Sequence, residues 1–528
     1  MPMEATPARS FGVDERVDEF VNAAASINSP SIPRPRNQGQ PMTSPFAGPS
    51  YPARAMVDFG MSETSPSLLG LSGFDEYTND PRFLESHKEL RDLLLTSAQS
   101  VAPTRVGSPI SQEVSSSEHL ERIQNSSTIQ SILSTGERVI WLMNYLEEVA
   151  PWVRDFRHLV AFLTTGKLDM FDQQQNFRTK VPVLAQSSPP LLYALLAISA
   201  RQMERQKKLK GDQDSLQLYQ KSIRNLTPYL LAQDPNIMAT CVILCVLEMM
   251  SASPWNWRKH LDGCAALLSS HSINGFSGGL LQAVFWCYAR MDLCAAIISE
   301  GSESVVLSLE NWLPPGKSQA NAFHLFQSSR VPDMWANYAV YLTARVCHLT
   351  WLESSGAREE TGEGNNEAFV HAWYKLWSEL QDWRKSRPDE LLELEFPGEP
   401  ESTRSSPFPF ILYAASCAIS SNQLYHTACI LLLEVCPSSI DHLQFKQIGS
   451  KIWHARRVCG ISSTNEHHGC LNNAIQPLWV SGKLLSHPVE HKAVVDLIKH
   501  IEEKTGWGGK WRIADLKRVW GYNSDITM

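Results

Sequence analysis

SPPLLYALLAISARQMER at residues 188–205, CVILCVLEMMSASPWNWRKHLDGCAALL at 241–268 and GFSGGLLQAVFWCYARMDLC at 275–294 read as successive amphipathic helices. Ser187 and Ser188 offer N-cap oxygens, and Pro189 and Pro190 pre-set φ for a first helical turn. Leu192, Leu195, Leu196, Ser199 and Met203 then recur at three- and four-residue spacing, so one stripe must face a core. Arg201, Arg205, Lys207, Lys208 and Lys210 complement the negative end of the helix dipole and read as a solvated terminus, not a nucleic-acid footprint. In the third segment Val284, Cys287, Met291 and Cys294 mark the apolar face of a helix expected over residues 280–298.

The 528-residue chain is too long for one ordinary core, which leaves several compact units or one large helical domain with an extension. Composition favours the second. Residues 1–130 hold 13 of the 31 prolines, no tryptophan and no cysteine, and they carry −6 of the net charge of −8. Such a segment buries too little apolar surface to fold alone and repels a phosphate backbone. Within it LLGLSGFDEY, residues 68–77, mixes acidic and apolar side chains as activation segments do, although a plain solvated linker has the same composition. The expected organisation is a disordered, acidic, Ser/Pro-rich extension over 1–84, a partly helical linker over 85–129, and an all-α domain over 130–528.

Residues 1–21 are too polar for a secretory signal, which predicts an intracellular protein. Residues 238–247, among the longest apolar stretches, stop at Glu248, short of the roughly 18 residues that cross a bilayer, so no membrane span is expected. The 11 cysteines all follow residue 240 and sit in helical apolar patterns, as reduced, packed thiols do. Breakers at Asp234-Pro235, Ser253-Pro254, Gly278-Gly279, Pro314-Pro315-Gly316, Val331-Pro332 and Arg387-Pro388 divide the helical blocks. A mobile loop is expected over 354–367, a second over 397–409, and a buried helix or helix pair over 410–436, where Ser420, Ser421, Asn422 and Gln423 interrupt the apolar run. The tryptophans are expected in the core, each needing one partner for its N–H.

Two motifs suggest chemistry. Gly275-Phe276-Ser277-Gly278-Gly279 matches a nucleophile elbow with His467 or His468 downstream, but an elbow needs a buried strand before the serine and here the spacing is helical. His467, His468 and Cys470, with His487 and His491, supply metal-ligand types. They lack a second cysteine half-site, and Pro488 allows a helix only if it starts there, so these groups are expected to cap or link helices. No catalytic, cofactor-binding or metal residues are assigned, and an enzyme is not expected.

Residues 89–105 (ELRDLLLTSAQSVAPTR), 145–156 (YLEEVAPWVRDF), 188–205, 257–268 (WRKHLDGCAALL), 275–301, 332–342 (PDMWANYAVYL), 419–433 (ISSNQLYHTACILLL) and 467–491 (HHGCLNNAIQPLWVSGKLLSHPVEH) together resemble the regulatory region of fungal zinc binuclear-cluster transcription factors. The resemblance implies a large all-α regulatory and dimerisation domain in a nuclear regulator of RNA polymerase II genes, with a metabolic or specialised-metabolite gene cluster as the target class. It implies other transcription factors or coregulators as partners, homo- or heterodimers, and a small-molecule effector. In that family six cysteines holding two zinc ions read DNA. Here no cysteine precedes Cys241, so zinc enters only with a further N-terminal six-cysteine module, and DNA contact is expected to be indirect or through that module. The competing reading is a small-molecule-binding or scaffolding protein derived from the domain and detached from promoters.

Overall fold

Prolines and glycines set where the helices begin. The principal helices are Pro81–Val101 (α1), Gly136–Asn144 (α2), Pro189–Arg205 (α3), Asp214–Arg224 (α4), Ile237–Ser251 (α5), Pro254–Ser270 (α6) and Gly279–Ile298 (α7). Pro332–Ser354 (α8), Glu363–Ser386 (α9), Ser416–Glu434 (α10), Lys451–Thr464 (α11), His468–Gly482 (α12), Pro488–Thr505 (α13) and Lys510–Val519 (α14) follow. Proline opens α1, α3, α6, α8 and α13, where its missing N–H would have had no helical partner. At Gly278 φ is +78°, a left-handed turn that suits glycine and starts α7.

The computed structural model describes residue 77 and residues 79–101, 129–149, 168–206, 214–231, 237–355, 363–395 and 406–522, all within one unit, Pro66–Met528. Among them every regular element is helical. Residues 1–76 of the acidic extension, Asp234-Pro235, Lys207, Lys208 and Lys210 lie outside the described residues.

α5 is buried all round, with α3, α6 and α7 packed on it. α10 has the same role in the second half, flanked by α8, α9, α11 and α12, while α13 and α14 close on α12. α7 joins the halves, touching α5 and α6 on one side and α8 and α12 on the other. α1 lies along α6 with Phe83, Leu90 and Leu94 wholly buried. The helices approach so closely that a Cβ on Gly263 would come within 2.9 Å of Leu94 Cβ.

Several expectations need correction. Ser188 is the N-cap of α3, but its side chain makes no cap bond, because two following prolines leave fewer N–H donors to satisfy. Arg201 is not part of a solvated end: it is 2% exposed, donates to Ser251 and pairs with Glu204. α7 is long and apolar enough to cross a membrane, and its flanking helices bury it instead. α9 starts at Glu363, inside the stretch expected to be loop, where acidic residues favour a helix N-terminus. Residues 416–434 form one buried helix, the first of the two forms expected there, and only the interruption by its polar residues is corrected: Asn422 donates to the Leu391 and Ala418 carbonyls, and Gln423 to Ser462.

Candidate functional site

The motif serine is held in a turn. Ser277 Oγ accepts from the Asn274 N–H at 2.9 Å, and Asn274 Oδ1 accepts from the Phe276 N–H, so the segment is the lead-in to α7 and not an elbow after a strand. His487 accepts from the Val489 N–H and caps α13. His491 stacks on Trp520 with centroids 3.9 Å apart and links the Leu485 carbonyl to Tyr522. His467 Nδ1 lies 3.4 Å from Cys470 Sγ, and no group of three or more metal-ligand side chains assembles among the described residues. Burial pushes the Cys470 thiol up to about 12, far from the reactive range. Trp286, Trp312, Trp373 and Trp383 are wholly buried, and each gives its N–H to a backbone carbonyl.

Sequence reasoning missed the buried charge networks, which spacing alone does not reveal. Glu248 on α5 accepts from Tyr219 at 2.6 Å and pairs with His260 at 2.9 Å and His87 at 3.4 Å. Burial alone would raise its pKa; the charges of His260 and His87 outweigh that and hold it at about 2. His87 sits on α1, so this cluster fastens α1 to the core. Beside it Glu204 accepts from the Ser215 side chain and N–H, Tyr77 meets Ser215 at 2.6 Å, and Arg201 lies 4.1 Å over the Tyr77 ring.

A second buried pair works in the opposite sense. His454 Nε2 is 2.8 Å from the Ile448 carbonyl and so carries a proton, leaving its Nδ1 to accept from His426 Nδ1, 2.7 Å away. His426 Nε2 accepts from Arg457. Both rings must be neutral, and burial pushes His454 down to about 3 and His426 well below its usual value.

Between α5, α7, α10 and α12 an open cleft is walled mostly by apolar groups. Val246 and Met249 come from α5, Met291 and Ile297 from α7, and Leu168, Met170 and Phe171 from the segment before residue 176. Its polar lining includes Arg290, Gln423, Asn472 and Gln476. Gln476 Oε1 is occupied by Arg512 at 2.7 Å. Gln423 uses its amide N–H₂ on Ser462 but leaves Oε1 unpartnered, and Asn472, 6% exposed, leaves both Oδ1 and Nδ2 unpartnered. Pro477 lies inside α12 and has no N–H for the Asn473 carbonyl, freeing a backbone acceptor in the same wall. A largely apolar cleft with a few convergent polar groups is the usual form of a small-molecule site.

The fold and cleft define an all-α domain with a largely apolar cleft that carries a few polar side chains, and no metal-ligand cluster among the described residues. The chain belongs to the fungal specific transcription factor domain family, whose match covers residues 142–525. It is similar to transcription activator AMTR1 of Alternaria alternata, with 23% identity over 342 residues, 54% of this chain and 44% of that protein. The matched region thus spans less than half of the relative. No solved structure matches.

Proposed function

We propose that the chain is a regulator of RNA polymerase II transcription in the fungal nucleus, in which the α1–α14 domain receives a signal and passes it to other transcription factors or coregulators. The family match over residues 142–525 carries this reading. The cleft supports a sensing role over plain scaffolding, because it gathers Arg290, Gln423 and Asn472 in a largely apolar wall. DNA is reached through a partner or a separate zinc module, since the domain is helical, near neutral and built around its own core. Control by dimerisation, and of a metabolic or specialised-metabolite gene cluster, belongs to the same proposal. Tethering the full chain to a heterologous DNA-binding domain tests it: reporter transcription in a fungal cell should change severalfold. A nuclear, folded fusion with no effect would favour the scaffolding reading.

A further inference from the structure

We propose that the cleft binds a small amphipathic carboxylate, with the acid group on Arg290 and an amide or hydroxyl of its apolar body between Asn472 and Gln423. Arg290 lines the cleft on α7 and donates to the Leu168 carbonyl at 3.1 Å. Among the described residues no carboxylate lies within ion-pair distance of its guanidinium. The carboxylates whose charge reaches it, Asp169 and Asp172, are committed elsewhere: Asp169 accepts from the Phe177 and Arg178 N–H groups, Asp172 from Gln174 and Asn176. A guanidinium presents five donors in a fork that matches a carboxylate, and the Leu168 carbonyl, the Cys287 side chain and the Phe171 ring 5.2 Å away leave donors over for an anion.

The other polar groups define the rest of the ligand. Asn472 offers one acceptor and one N–H₂ donor, Gln423 one acceptor, and none of these atoms has a protein partner. A buried amide left this way costs stability that an apolar residue of the same shape would avoid. An amide or hydroxyl can donate to one oxygen and accept from the Asn472 amide, while Met170, Met249 and Met291 give the apolar part a deformable wall. A cation is disfavoured by Arg290, and a wholly apolar molecule would leave all three polar side chains unsatisfied.

This inference deepens the sensing role proposed above, and it is read on purified protein so that the two fail separately. The full chain is titrated by thermal shift and calorimetry with N-acyl amino acids and hydroxy fatty acids of short and medium chain, each beside its neutral primary amide. The expected result is a saturable rise in Tm of several degrees for a carboxylate and none for its amide. Arg290→Met should weaken that binding roughly 10- to 100-fold, and Arg290→Lys should restore part of it. Asn472→Leu, which retains the wall, should weaken it about tenfold. No shift from any carboxylate, equal binding of the amides, or undiminished binding by Arg290→Met and Asn472→Leu would overturn the proposal; if Arg290→Met does not fold, Asn472→Leu decides. Binding without any effect on the tethered reporter would overturn the transcriptional reading alone.

Discussion

The Glu248 cluster and the α5–α7–α10–α12 cleft both place polar groups among apolar side chains, and they differ in what meets those groups. Glu248 is wholly buried; its Oε1 accepts from Tyr219, and His260 and His87 stand at ion-pair distance. Arg290 has no carboxylate against it among the described residues, and Asn472 no partner for either amide atom. A buried charge with its partners in place fastens helices together; one without them is retained at a cost in stability, and that cost points to a ligand.

Val284→Asp should have the largest effect. Val284 is 0% exposed on the helix that carries Arg290, and an unpaired carboxylate there has neither cleft nor partner, so a loss of roughly 4 kcal/mol or more is expected in denaturant unfolding. Normal stability would mean that this face of α7 is open. Glu248→Ala follows at about 3–5 kcal/mol, because it leaves His87 and His260 buried beside an unmet Tyr219 hydroxyl. Its Tm should also lose dependence on pH between 4.5 and 2: the lowered Glu248 pKa gives stability that is present above 4.5 and lost as pH falls toward about 2. An unchanged acid limb would show that Glu248 does not control it.

Shortening the chain tests how far the partnered region extends toward the N-terminus. A chain beginning at Pro66 should unfold like the full sequence, whereas one beginning at Asp80 loses Tyr77, the ring beneath Arg201 and the hydroxyl on Ser215. About 1–3 kcal/mol should be lost in the second, and equal midpoints would show Tyr77 to be dispensable. The His426–His454 pair gives a smaller, pH-confined effect. Both pKa values are depressed, so its contribution is present above 6.5 and lost as pH falls toward about 3; His454→Gln should flatten the Tm profile between pH 6.5 and 4. A profile as steep as the parent's would place the acid sensitivity elsewhere.

Helical periodicity and proline punctuation made the all-α class and most helix starts legible, as at Pro254, Gly279 and Pro332, because a three- and four-residue apolar period and a missing N–H act locally. Ser420 to Gln423 misled, since a polar run looks like a break until its distant partners, Leu391 and Ser462, are known. Arg201 misled because the basic run after it looks like a solvated end, whereas Arg201 itself is buried against Glu204 one turn on and Ser251 of α5. The cleft was not legible. Arg290, Gln423 and Asn472 are far apart in the sequence, and what distinguishes them is a partner they lack, which no spacing records.

Asn472→Leu should have the smallest effect on the free protein and the most telling one. An amide kept unpartnered for a ligand should have an effect that changes sign with occupancy. Measured by differential scanning calorimetry without and with a carboxylate from the titration at about 100 times its Kd, Asn472→Leu should leave the free Tm equal or a degree or two higher and remove about half of the ligand-induced rise. A variant that loses several degrees when free and keeps the full ligand-induced rise would make Asn472 a structural residue and contradict the account.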